Sequence, residues 1–558
     1  EPEESVDDPD ERALTRRAAI AGTVLLRNAV ADTLERPVLP IPTADLASLA
    51  VVGPNAVIDR SMGGGSASLT PFGHRTLLEA LTDRLAIRAP GATVTYDPGV
   101  RIDRLTPIVR RAHLRTPTGE PGLRLEYVNG RDWNAPAVVE TVAATSMLRF
   151  FGTTPDAVDP SEFAARVTGS FVPEVDGPHV IGVVSTGPVS MTASMIDGAP
   201  VVVVDDPDMQ LPRTREFFGY GSEETTTVID ARAGEPIEFS VKWANASGNG
   251  FAALRIGVRA PDPADLFEQA VGAAAAADVA VVVVGTNDEW ETEGFDRETM
   301  DLPGRQNELV EAVSAANPNT VVVINAGSPV TMDWAADDHA CPAPAIVTSF
   351  FAGQEQAEAM VDVLLGDADP GGRLPTTYPA SLADHPAAAH YEPVRIGENP
   401  PLQRYAEGLF IGHRHYERAG IAPRFWFGHG LSYGTTTWGT ATATPTSVSP
   451  ASLESTPMEV TVPLRNDGDR AATVVVQGYV APVDPPVERP DRELKAWSKL
   501  TVAAGGTASA TLTFGPDAFH HWDEESGGWS IAPGHFDLVI AASSDPVAEH
   551  GRIRVTIA

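Results

Sequence analysis

The stretch VAVVVVGTNDEWETEGFDRETMDLPG, residues 279–304, changes character in its middle. Its first part is an unbroken apolar run, as expected of a strand buried on both faces, because a strand with one wet face would alternate. Its second part sets out Asp288, Glu289, Glu291, Glu293, Asp296 and Glu298 in close succession. Like charges so near in sequence repel, and the crowding is tolerable where most of them are solvated or paired. It marks at least one as a candidate for chemistry.

Working outward, two runs of the same kind follow, TVVVINAG (320–327) and AIVTSFFAG (345–353), with helical patterns QNELVEAVSAA (306–316) and EQAEAMVDVLLG (355–366) after the first and last of the three. Upstream, LASLAVVGP (46–54) reads as a short buried strand and TLLEALTDRL (76–85) as a helix. RRAAIAGTVLLRN (16–28) carries a helical pattern ending near Asn28. Strands alternating with helices predict an α/β domain.

Between residues 123 and 260 the texture differs: LRLEYVNG, FAARVTGSFV, HVIGVVSTG, VSMTASMIDG, IEFSVKWAN and AALRIGVRA alternate and are broken by turn residues. This predicts an antiparallel β-sandwich or barrel inserted into the α/β domain, which is tolerable when the two ends of the insert lie close together. After RFWFGHGLSYG (424–434) comes a Thr/Ser/Pro-rich linker. MEVTVPLRNDGDRAATVVVQGYV (458–480) then reads as a hairpin turning at Asn466-Asp467-Gly468-Asp469, and TASATLTF and HFDLVIAAS continue an immunoglobulin-like β-sandwich. The expected fold class is therefore multidomain α/β plus all-β. Its boundaries are 1–115 and 263–435 for the two parts of the α/β domain, 116–262 for the insert, 436–457 for the linker and 458–558 for the last module.

The totals agree with a large protein of several cores: 558 residues, 43% of them apolar. No run approaches the roughly eighteen uninterrupted apolar residues of a membrane-spanning helix, and the start EPEESVDDPD is acidic where an export signal is basic. With 40 Lys plus Arg against 75 Asp plus Glu, the net charge of −35 disfavours nucleic acid and anionic membranes as partners and leaves neutral substrates as the expectation. Lys242, Lys495 and Lys499 are the only lysines, a composition that fits a high-salt habitat or GC-rich coding. Cys341 stands alone, which excludes an intramolecular disulfide and a cysteine metal cluster; it reads as a small buried apolar residue. MGGGSASLTP (62–71) lets the backbone approach something closely, yet its spacing fits neither a P-loop nor a dinucleotide fingerprint.

Taken in order, AGTVLLRN, AVVGPN, GGGSASLTP, EGFDRETMDLPGRQNELV, VVVINAGSPVTMDW, GDADPGGRLPTTYP, YAEGLFIGHRHYE, FWFGHGLSY, RELKAWSKL and GGWSIAPGHFDLVI resemble family 3 glycoside hydrolases of the β-glucosidase type. The resemblance spans nearly the entire chain. It implies an α/β sandwich interrupted by a protective-antigen-type β-sandwich and followed by a fibronectin type III-like domain. It also implies a (β/α)8 barrel that carries the catalytic nucleophile. No eight βα units occur in these residues, so the barrel is expected on an upstream stretch or on a separate chain. Met332-Asp333-Trp334 imitates the nucleophile motif of the barrel but follows NAGSPV, where the family has a structural stretch, so Asp333 is read as structural.

A retaining glycosidase uses two carboxyl groups roughly 5 to 5.5 Å apart, a nucleophile and an acid/base. The resemblance makes Glu293, in Glu293-Gly294-Phe295-Asp296-Arg297, the acid/base, with Glu289, Glu291 and Glu298 as solvated loop charges. Neighbouring negative charge and exclusion of water are expected to favour the protonated form that the acid step needs. Gly294 lets the loop bend, and Arg297 is placed to pair with Asp296 or to anchor the loop. The resemblance gives Ser66 as a hydrogen-bond partner of the sugar, against a capped turn before the helix that follows; Trp290 is either a stacking surface or a core residue. His413 and His415 alternate as though on one face of a strand, but no third ligand accompanies them and no metal is expected. Asn466 to Asp469 lacks the spacing of a calcium loop.

The expectation is thus the C-terminal portion of a retaining β-glucosidase-like enzyme, inactive without its barrel and needing no cofactor. Its partners would be a β-glucoside or oligosaccharide, the barrel and possibly a second copy of itself. The alternatives are a non-catalytic carbohydrate-binding or scaffold protein, and a β-xylosidase or natural-product glycosidase of the same family.

Overall fold

The computed structural model describes residues 6–558 apart from 32–35, 68–70, 110, 197, 246–250, 295 and 398–399, and omits the side chains of Ala31 and Ser66. The chain forms two compact units. One comprises Glu1–Ile102, Leu266–Glu291 and Arg297–Ala558; the other comprises Asp103–Asp265 and Thr292–Asp296.

The first unit is organised on a six-stranded sheet. Its strands are β1 (Val24–Asn28), β2 (Ser48–Val52), β3 (Thr93–Asp97), β4 (Val279–Gly285), β5 (Thr320–Asn325) and β6 (Ala345–Thr348), in the spatial order β1-β6-β5-β4-β2-β3. All neighbours run parallel except β1, which pairs antiparallel with β6. Every residue of β4 and β5 is buried, as a parallel sheet covered on both faces requires. Val281, Val283, Val321 and Val323 pack with helices α2 (Leu77–Arg88) and α5 (Gln356–Leu364). Val282, Val284, Val322 and Ile324 pack with α3 (Leu266–Ala276) and α4 (Gln306–Ala316). The period of two in the strands thus splits one continuous valine run between two cores.

The helix near the N-terminus, α1 (Pro9–Gly22), starts on Asp8, whose carboxylate accepts the amides of Asp10 and Glu11. The helical pattern read through to Asn28 therefore stops short, because the chain turns extended at Thr23 and VLLRN becomes β1. Val24, Leu25 and Leu26 are all buried, and three adjacent apolar residues satisfy a helix period and a doubly buried strand equally well. Helix α2 occupies the stretch read as helical, and Thr76 and Glu79 close its start with a reciprocal capping box.

The second unit consists of two antiparallel sheets. The larger, seven-stranded sheet runs in the order 201–206, 189–195, 237–244, 163–171, 123–129, 139–143, with 114–115 beside 163–171; the other runs 225–231, 177–185, 251–259, 147–151. Their facing sides share one core in which Phe150 stacks on Trp243 and meets Phe163 edge-on.

Within the first unit, the residues after 435 build two further sheets around their own core and a separate two-stranded ribbon, 521–523 with 528–530. The hairpin expected across Asn466–Asp469 is absent. Strand β7 (Met458–Asn466) pairs with 507–514 in one sheet, whereas β8 (Ala472–Val483) pairs with 493–502 and 534–541 in the other. The turn is an arch between sheets, held by Asn466, which donates to the carbonyls of Arg470 and Val502 and accepts the Gly468 amide. Alternation on β7 reports one buried face, and both a hairpin and an arch supply that. Strands 436–438 and 442–444, in the Thr/Ser/Pro-rich stretch, pair with β7.

Candidate active site

In chain order the sheet first grows from β2 to β3, then resumes on the other side of β2 with β4, β5 and β6. The carboxyl ends of β2 and β4 therefore flank a topological switch point, the place where open parallel sheets gather binding residues. The glycine-rich stretch 62–66 follows the exit of β2 and the acidic loop follows the exit of β4. Close packing unites these exits. A Cβ on Gly53 (φ +106°) would lie 2.3 Å from the Val283 carbonyl oxygen, and one on Gly285 would lie 1.9 Å from that of Asn325. The buried Asn55 amide donates to the Thr286 carbonyl at 2.9 Å.

The acidic loop is closed at its base by Gln306. Its fully buried amide accepts the Gly285 N–H at 2.9 Å and donates to the carbonyls of Gly285 (2.8 Å) and Pro303 (2.9 Å). Trp290 is half-buried, and its indole N–H donates to the Ile102 carbonyl at 2.5 Å.

Glu291 is not the solvated charge that the pattern of the loop suggested. It is half-buried, and one carboxylate oxygen accepts Thr286 Oγ1 at 2.7 Å and the Gly327 amide at 3.0 Å. Its own carbonyl accepts Arg60 Nη2 at 3.0 Å and the Gly64 amide at 3.4 Å. A Cβ on Gly327 would meet the Phe351 ring at 2.6 Å and Glu291 Oε1 at 2.9 Å, so the carboxylate and the turn fit without spare room. Beyond the loop, Arg297 donates to Ser328 Oγ (3.2 Å) and the Asp301 carbonyl (3.0 Å). The Arg297 pKa lies below its ordinary value because burial outweighs the pull of Glu291 and Asp301. The same holds for Arg60, where burial outweighs Asp288 and Glu291; its guanidinium also lies over the Phe351 ring.

Thr292–Asp296 belong to the second unit, and there Glu293 is exposed. Gly294 adopts φ +100°, and a Cβ would lie 3.2 Å from Phe218 Cδ1. Phe217 and Phe218 themselves hold positive φ, 52° and 59°, a left-handed geometry that costs about 1–3 kcal/mol each in an aromatic residue. Both rings pack on Phe251, at 6.2 and 5.5 Å between centroids. Sequence reasoning missed this pair, since left-handed backbone in a Glu-Phe-Phe-Gly run has no compositional signal. It also missed Gln306, whose polar amide at the buried start of α4 could have been noticed. Ser66 lies in the short 3₁₀ turn Gly65–Ala67, and its side chain is outside the described residues.

His413 and His415 lie in helix α6 (His413–Ala419), not on a strand, so two residues' separation turns them away from a common face. His413 stacks on Phe427 at 4.9 Å, and no grouping of three metal-ligating side chains occurs among the described residues. Asp333 is an exposed carboxylate 3.7 Å from Arg424, while the neighbouring Trp334 is buried and donates to Asn307 Oδ1. Cys341 is half-buried rather than fully inside.

The profile of the glycosyl hydrolase family 3 C-terminal domain matches residues 23–433, and that of the fibronectin type III-like domain matches 474–544. A β-glucosidase of Rhizobium radiobacter is 35% identical over 547 residues, covering 97% of this chain and 62% of the relative. A probable β-glucosidase J of Aspergillus fumigatus is 33% identical, covering 95% of this chain and 61% of its own length. The crystal structure of the Kluyveromyces marxianus β-glucosidase in complex with glucose superposes with a TM-score of 0.85 at 29% identity, over 99% of this chain and 63% of that one. The chain therefore spans about three fifths of the length of these relatives. With a match that takes in β1 through α6 and the whole acidic loop, the chain belongs to glycosyl hydrolase family 3 through its C-terminal domain and carries a fibronectin type III-like domain after it.

Proposed function

We propose that this chain supplies the proton-transfer half of a retaining β-glucosidase. Glu293 protonates the departing glycosidic oxygen and, in the second displacement, takes a proton from water. The attacking carboxylate lies on a barrel outside these residues, which agrees with the relatives' being longer than this chain. The observation that carries the reading is the Glu293-Gly294-Phe295-Asp296-Arg297 motif on a loop whose flanking residues Glu291 and Arg297 are both fixed by hydrogen bonds.

In the same reading residues 1–115 and 263–435 are the α/β sandwich, 116–262 a protective-antigen-type insert and 458–558 the fibronectin type III-like domain, while 436–457, expected to be a linker, adds strands to the sheets of that last domain. Ser66 and Trp290 bind the sugar. The substrate is a terminal β-linked glucoside, as the names of the relatives suggest. Assay of the chain alone on an aryl β-glucoside tests the division of labour: no turnover is expected, and addition of a matching barrel domain restores it. Substantial turnover by the chain unaided would overturn it.

A second reading, sugar binding without hydrolysis, draws on Trp522 and Trp529. These face each other across a two-stranded ribbon, 51% and 69% exposed, with ring centroids 5.6 Å apart. Titration of the chain with cellobiose in a calorimeter separates the readings, because only the second expects heat of binding in the absence of a barrel.

A further inference from the structure

Between Glu291 and Arg297 the chain makes an excursion, Thr292–Asp296, and both of its roots are pinned to consecutive residues of one turn. Glu291 holds Gly327 and Arg297 holds Ser328. The carboxylate of Glu291 could have formed a direct ion pair with either nearby guanidinium; instead it is spent on two neutral donors, Thr286 Oγ1 and the Gly327 amide, one at the exit of β4 and one at the exit of β5. Its backbone carbonyl meanwhile receives Arg60 and the Gly64 amide of the glycine-rich stretch. One residue thus fixes its side chain and its main chain to three different segments, at the last position before the excursion that carries Glu293.

A carboxylate serving only to offset buried positive charge would not need this arrangement. A residue that sets where the next two peptide units point would. We propose that Glu291 is the positioning residue of the proton-transfer loop, fixing the root from which Glu293 is presented to the glycosidic oxygen; this rests on the reading of Glu293 as the acid/base. Geometry at a reacting centre is expensive to lose: displacement by an ångström costs about 10²-fold in rate.

The test uses the chain together with its barrel domain and compares kcat/KM on an alkyl β-glucoside, whose leaving group needs a proton, with that on a dinitrophenyl β-glucoside, whose leaving group does not. Glu291→Ala is expected to lose about 10- to 100-fold on the first and about 3-fold or less on the second, with a displaced basic limb in the pH–rate profile. Glu291→Gln, which keeps an acceptor oxygen, is expected to recover most of the loss. Thr286→Val removes one donor at little change of shape and is expected to show a smaller split of the same sign, which keeps the test available if Glu291→Ala fails to fold. Equal losses on both substrates, or none on either, would overturn the proposal. Glu293→Ala run beside these separates the two levels: a split there without one at Glu291 overturns the positioning role alone, and no split at Glu293 overturns the acid/base reading and the positioning role with it.

Discussion

The carboxylate of Asp369 and the amide of Thr473 meet at 2.8 Å, joining the segment just after α5 to the start of strand β8 in the fibronectin type III-like part. The same carboxylate accepts Ser432 Oγ and the Tyr433 amide, each at 2.8 Å. Strand β8 is correspondingly buried along most of its length, with Val474, Val476 and Val480 in its own core and Gln477 donating across to the Gly428 carbonyl. Both parts belong to the first compact unit.

Asp369→Ala is therefore expected to destabilise the protein by about 2–4 kcal/mol, since it removes the acceptor of Ser432 Oγ and the Tyr433 amide and leaves the Thr473 amide with only its longer bond to Ser432 Oγ at 3.2 Å. Thermal unfolding followed by calorimetry checks this. Asp369→Asn, which retains an acceptor, should cost less. An unchanged unfolding temperature in Asp369→Ala would mean that the junction contributes nothing to the stability of the unit.

At the switch point, space is the controlling variable. Gly285→Ala sets a methyl against the Asn325 carbonyl, which is main chain in a parallel sheet and cannot withdraw cheaply, so a loss of about 2–3 kcal/mol or more is expected. Gly272→Ala is the matched control, because a Cβ there meets nothing within 4 Å and Gly272 lies inside helix α3. That change is expected to stabilise by about 0.5–1 kcal/mol. Denaturant unfolding of the two variants should give shifts of opposite sign.

His413 gives the stability a dependence on acid. Burial, with help from Arg414 and Arg492, pulls its pKa down from 6.5 to about 4. Between those values the unfolded chain holds a proton on this ring that the folded chain does not, so stability falls as pH falls from 6.5 toward 4 and is unaffected above. The contribution is about 2–3 kcal/mol at most, since the ring is only half-buried. His413→Phe keeps the stack on Phe427 and removes the proton site. Its stability relative to the parent should rise across that pH window; parallel curves would rule the assignment out.

Periodicity and composition made much of this architecture readable. The apolar runs of β4, β5 and β6 read as strands because continuous burial suits a covered parallel sheet, and the helical pattern from Thr76 corresponds to α2. Where two structures satisfy one pattern, the sequence could not choose: VLLRN fits helix and strand, and β7 looks the same whether it turns back as a hairpin or crosses as an arch. In the acidic loop the difficulty was different. Nothing in the run of acidic residues singles out Glu291, and only the approach of Thr286 and Gly327 shows that its carboxylate is structural. Those partners come from elements the loop itself does not encode.

Under the proposed function it is Glu293 that handles the proton. Glu293→Ala, in the chain combined with its barrel domain, measures it most directly through kcat/KM across glucosides of graded leaving-group acidity. Dinitrophenyl glucoside is expected to lose little at the first displacement and alkyl glucosides about 10²-fold or more, with azide restoring turnover of the activated substrate. Uniform loss along the series, without rescue, would contradict that role.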